Sequence, residues 1–175
     1  MGKSVKEIVQ DGAPVLREVA QPLPERLFGS AELTKLLADM AEVLDKEPEG
    51  VALAAPQLGV SWRLFIIRID RTINKEHPTN SKAELQVYIN PEIMKTSRKR
   101  ARADEGCLSA RGVYGVMSRH ERITIRARRE DGTMFMRGAG GLMAQIFEHE
   151  IDHLNGVLFT DHAEHLIQTR HNNDE

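Results

Sequence analysis

Cysteine is nearly absent from this chain: Cys107 is the one thiol in 175 residues. A single cysteine excludes an internal disulfide framework, so a reducing compartment is expected. Long apolar runs are missing too, and no segment reads as a membrane span. The opening stretch MGKSVKEIVQDG has no apolar signal core and no arginine-rich, acid-free character, and Lys6 stands where a myristoylation pattern needs Ser or Thr. The expected place of action is therefore cytoplasmic. Excess charge is also lacking. With 24 Lys and Arg against 26 Asp and Glu, the formal net charge is −2. That excludes a bulk electrostatic pull toward nucleic acid or an acidic membrane. Repeats and low-complexity linkers are absent, so one domain over 1–175 is expected, with 164–175 as a polar, partly flexible tail.

What is present is a soluble, globular composition, 41% hydrophobic and 29% charged. Residues 30–48 carry the clearest helical pattern: Leu33, Leu36, Leu37, Met40, Val43 and Leu44 recur at three- and four-residue steps. Ser30 suits the N-cap, and Pro48 with Gly50 stops the helix. The stretch 14–24 reads as a short helix ended by Pro22 and Pro24. Extended runs follow at 51–55, 63–69, 85–90 and 121–130. In the last, Ile123, Ile125 and Ala127 alternate with Arg122, Thr124, Arg126 and Arg128, giving one buried and one wet face. Asp131-Gly132 then turns the chain into a hairpin. Residues 70–83 read as a surface loop, and the basic run 95–102 as a solvated strand edge. Strands without regularly interleaved helices point to α+β, largely antiparallel sheets, packed around a C-terminal helix.

That helix, near 140–156, carries the chemistry. Leu142, Ile146, His149 and His153 are spaced 4, 3 and 4, so the histidines continue an apolar face. Two inward imidazoles need partners, and a shared metal satisfies both at once. Core histidines bonded to backbone or carboxylates are the bland alternative. A catalytic site of this type takes three protein ligands and keeps one position open. Cys107 is the soft candidate for the third; His162 and His165 follow in a polar segment and read as solvated surface. Glu150, next to His149, suits a proton carrier beside an activated water. Asp152 suits a supporting ion pair. Gln57, at the end of a small-residue strand, offers an amide donor for an oxyanion.

Three segments in this order resemble the signature motifs of the peptide deformylases. They are GVALAAPQ from Gly50 to Gln57, EGCLS from Glu105 to Ser109, and HEIDH from His149 to His153. The resemblance covers about residues 5–162. It implies hydrolysis of the N-formyl group from the formyl-methionine of nascent polypeptides, with release of formate. It implies one divalent metal, Fe²⁺ in this family with Ni²⁺, Co²⁺ or Zn²⁺ as substitutes, on Cys107, His149 and His153. Glu150 would be the general acid/base, and Gln57 with the Leu108 backbone N–H would hold the oxyanion. Val51, Ala52 and Gly106 would line the cleft, and Leu142 and Ile146 the methionine pocket. Arg119 is assigned to Asp152 as outer support.

The partners implied are formyl-methionyl nascent peptides, with transient ribosome proximity but no specific nucleic acid and no membrane. Some members of the family dock on the ribosome through a basic C-terminal helix; with NNDE closing this sequence, such docking is not expected here. Four residues depart from the family pattern: Ala52 for glycine, Glu148 for glutamine, Gln145 for arginine or an aliphatic residue, and Arg111 for proline. Two other readings compete. One is a zinc peptidase of the H-E-x-x-H type, which leaves EGCLS unexplained. The other is a binder of formyl or acyl N-termini without turnover.

Overall fold

The first long helix is closed by its own sequence. In the computed structural model, which describes residues 7–72 and 84–169, α1 spans Ala31–Asp45, and the Ser30 side chain accepts from the Leu33 N–H at 3.1 Å. Its apolar stripe, Leu33, Leu37, Met40, Val43 and Leu44, is buried.

That stripe packs on one face of a five-stranded antiparallel sheet. The strands are β1 (Ala52–Ala54), β2 (Leu64–Arg68), β3 (Leu85–Thr96), β6 (Arg122–Arg128) and β7 (Met134–Gly140), in the order β1-β2-β3-β6-β7. Leu64 and Ile66 share a core with α1, whereas Phe65 and Ile67 share one with the second helix, α2 (Gly141–Leu154). Both faces of β2 are therefore covered, which explains why LFII is apolar throughout and does not alternate. β6 alternates as its sequence predicts, with Ile123, Ile125 and Ala127 facing the α2 side.

A three-stranded sheet, ordered β4-β5-β8, is built from β4 (Arg100–Cys107), β5 (Ala110–His120) and β8 (Glu164–Gln168). α2 packs against β1, β6 and β7 of the large sheet and against β5 of the small one. Free edges of the two sheets, β1 and β4, are thereby left beside the same helix.

Several expected boundaries shift. The stretch 14–24 forms only a 3-10 turn, Pro14–Arg17, because closely spaced prolines cannot supply helical N–H donors. β3 runs on to Thr96 through a register break at Asn90-Pro91, where Asn90 has φ 50° and its side chain accepts from the Leu23 N–H at 2.8 Å. In the expected tail, Glu164–Gln168 pairs with β5 as a strand with exposed side chains. The basic run 95–102 leads through a turn into β4, an edge strand. Of the expected loop 70–83, residues 73–83 lie outside the described residues.

Candidate metal centre and cleft

The metal candidates come from two elements. His149 and His153 lie one helical turn apart on α2, with ring centroids 5.0 Å apart. Cys107 ends β4, and the Leu108–Ser109 turn carries the chain into β5. The Cys107 Sγ is 3.2 Å from His153 Nε2. One ligand atom from each of the three residues lies within 4.8 Å of the others. Among the described residues His162 and His165 do not join this cluster.

The rings are oriented from behind. His149 Nδ1 faces the Glu105 carboxylate at 2.6 Å, which leaves Nε2 as the ligand atom. Glu105 in turn accepts from Arg119 through Nε and Nη2, both at 2.7 Å, and Arg119 Nη1 reaches Asp152 at 2.7 Å. The expected Arg119–Asp152 pair is present, and Glu105 joins it to His149. Glu105 carries no expected role from its sequence alone. The available signal was its spacing: two residues before Cys107 on a strand, it shares that residue's face.

Burial costs the Glu105 carboxylate hydration and pushes its pKa up, but the hydrogen bonds from Arg119 and His149 outweigh this and bring it down to about 2. Burial likewise opposes charge on His149, yet hydrogen bonding to Cys107 and Glu105 raises its pKa well above the ordinary value. For His153, burial dominates and depresses it.

Glu150 is 4% exposed, and burial pushes its carboxyl up to about 7. Its Oε2 and His153 Nδ1 are buried without a hydrogen-bond partner among the described residues. Gln57, 2% exposed, is locked by its own backbone. Its Oε1 accepts from the Ala54 N–H at 2.9 Å, so Nε2 points as a donor at Ser109 Oγ (3.2 Å) and Cys107 Sγ (3.7 Å).

A cleft of about 610 Å³ opens over these groups. Val51 and Ala52 line one side, Gly106 and Leu108 the other, and Leu142, Gln145 and Ile146 its α2 end. Leu142 is 49% exposed, whereas Ile146 is buried.

The four departures separate clearly. Ala52 sits in β1 and has no positive φ, so its methyl carries no left-handed strain. Gln145 lines the cleft and donates to the Asp104 carbonyl at 2.8 Å. Glu148 faces away from the cleft: it accepts from the His120 N–H at 3.0 Å and pairs with the His120 ring, tying α2 to β5. Arg111 lines the cleft and pairs with Glu47.

A dication fits this donor set. One thiolate and two imidazoles suit a transition metal, and the three donors converge while their far sides are held or buried.

Known proteins resemble this chain in sequence and in fold. The family model for polypeptide deformylase matches residues 5–169. A peptide deformylase of Symbiobacterium thermophilum is 38% identical over 98% of this chain and 73% of its own length. One from Hydrogenovibrio crunogenus is 41% identical over 89% of this chain and 83% of its own. The structure of a class I type b peptide deformylase from Acinetobacter baumannii bound to Met-Ala-Ser is 29% identical. It superposes with a TM-score of 0.77, covering 89% of this chain and 97% of that one.

Proposed function

The chain belongs to the polypeptide deformylase family, and from that premise we propose how its own residues divide the work. It is a metal-dependent enzyme, a peptide deformylase, which hydrolyses the N-formyl group of formyl-methionyl nascent polypeptides and releases formate. Cys107, His149 and His153 hold the metal, Fe²⁺, with Ni²⁺, Co²⁺ or Zn²⁺ able to substitute. When bound, the ion supplies Lewis acidity and a hydroxide equivalent near neutral pH.

The remaining steps belong to side chains. Glu150, with a carboxyl near 7 and buried beside the ligands, accepts the proton of the attacking water. As the new C–O bond forms, Gln57 Nε2 and the Leu108 N–H hold the negative charge that builds on the formyl oxygen. The C–N bond then breaks, and Glu150 returns its proton to the leaving amine. The peptide backbone enters as an added strand between the edges of β1 and β4, along Val51, Ala52 and Gly106. Leu142 and Ile146 receive the methionine side chain.

The observation that carries this reading is the meeting of Cys107, His149 and His153 with Glu150 and Gln57 in one cleft between two sheet edges. Residues 1–175 act as one catalytic domain. A nascent-chain substrate supports a place of action close to the ribosome, and we assign the chain to the cytoplasm on that reading. Among the described residues no helix is long and apolar enough to cross a membrane.

The test is formate release from formyl-Met-Ala-Ser by protein loaded with Fe²⁺ without oxygen, with Ni²⁺ in parallel. Release should stop on chelation. Glu150→Gln should lose about 10²–10⁴-fold in rate with metal still bound. Undiminished turnover by that variant, or cleavage of internal peptide bonds, would sink the assignment.

A further inference from the structure

The cleft is bridged by an ion pair that the hydrolytic steps do not use. Glu47 lies in the loop after α1 that leads into the Gly50–Ala52 wall. Arg111 stands near the start of β5, just past the Leu108–Ser109 turn. Both side chains line the cleft. Arg111 Nη1 and Nη2 donate to the two Glu47 carboxylate oxygens at 3.1 and 2.7 Å. Two parallel N–H···O bonds fix direction as well as charge. They also hold the Glu47 carboxyl below its ordinary pKa.

Each end of the bridge is anchored to rigid structure. On the Glu47 side, Arg71 Nη1 collects the carbonyls of Leu44, Glu47 and Gly50 at 3.1, 3.0 and 2.5 Å. On the Arg111 side, Gln10 Nε2 donates to the Leu108 carbonyl at 2.9 Å, and the Asp11 N–H donates to that of Ser109 at 2.7 Å. Between the anchors the walls nearly touch: a Cβ on Gly50 would stand 3.1 Å from Leu108 Cδ1. A small change in the bridge therefore changes the spacing between the two walls that take the peptide backbone. An ion pair this exposed does little for global stability. Its effect is local, on the cleft.

We propose that the Arg111–Glu47 pair is a strap that sets the width of the cleft, making both residues positioning residues for the peptide substrate. The proposal rests on the deformylase reading. Arg111→Ala and Glu47→Gln should each raise KM for the uncharged substrate formyl-Met-Ala-Ser amide about 2–5-fold, with kcat and the thermal midpoint nearly unchanged. The double variant should be no worse than either single one, and the charge-swapped pair Glu47→Arg/Arg111→Glu should recover most of the loss. Raising salt from about 0.05 M to about 0.5 M should raise KM in the parent but not in the variants. Calorimetric binding of the product Met-Ala-Ser, measured on the same metal-loaded proteins, should follow the same pattern. An unchanged KM and peptide affinity in Arg111→Ala would overturn the strap, as would losses that multiply in the double variant. A parent that binds the peptide but releases no formate would instead overturn the deformylase reading, and the binding series would still decide the strap.

Discussion

Glu105 has little water around it, yet it stays ionised because Arg119 and His149 donate to it. Burial alone would raise its pKa; the donors carry it from 4.5 down to about 2. A carboxyl depressed on folding stabilises the fold above its unfolded pKa. That contribution is lost as pH falls from about 4.5 through about 2. Replacing Glu105 with Gln leaves the Arg119 charge buried beside a neutral amide, and should cost about 3–5 kcal/mol near neutral pH. Urea unfolding of parent and variant should show that gap at about pH 6 and a narrower one at about pH 3.5. The same variant should weaken metal binding about 10–100-fold, read as metal retained after dialysis, because His149 exchanges a charged carboxylate acceptor for a weaker neutral amide behind its ring. Glu148 shows the opposite case. It is the immediate neighbour of His149 in sequence, yet one residue along a helix turns a side chain through roughly 100°, so it meets the β5 backbone instead of the cleft.

At the scale of elements, α2 needs a sharp end as well as an apolar face. It stops at Leu154, and Gly156 follows with φ +74°. A Cβ there would stand 2.5 Å from the Arg17 carbonyl oxygen in the Pro14–Arg17 turn. Gly156→Ala should therefore lower stability by at least the left-handed cost of about 1–2 kcal/mol, through strain and displacement of that turn. Thermal unfolding checks this, and an unchanged midpoint would mean that neither the left-handed backbone nor the contact with the turn resists a side chain at this position. β4 was harder to find from its sequence than α2. RARADEGC is charged and mostly exposed, so its side chains carry no clean alternation, and its pairing with β5 is a matter of backbone hydrogen bonds. β8 was missed for the same reason: all five of its side chains face water.

At the scale of the molecule, the proposed metal ligands join the end of β4 to the C-terminal half of α2, two elements that reach one another only through the tertiary fold. Because the folded chain gathers the ligands, metal binding should stabilise it by mass action: about 2.7 kcal/mol at a free metal concentration 100 times Kd. Chelation should lower the thermal midpoint by the corresponding amount, and Cys107→Ser should shrink the difference. A midpoint indifferent to metal would mean that the three ligands do not act together.

By itself the sequence determined the elements whose periodicity is local: the α1 stripe, the alternation in β6, the Asp131-Gly132 turn and the two histidines one helical turn apart. It also marked the candidate ligand types and the candidate base, because a soft thiol, imidazoles and an adjacent glutamate carry their chemistry with them. Contacts between distant parts of the chain come from the fold. It placed Cys107 against His153, put Glu105 behind His149, turned Glu148 away and joined Glu47 to Arg111 across the cleft. Those contacts are set by which sheet edges and helix faces meet, and no local repeat records that.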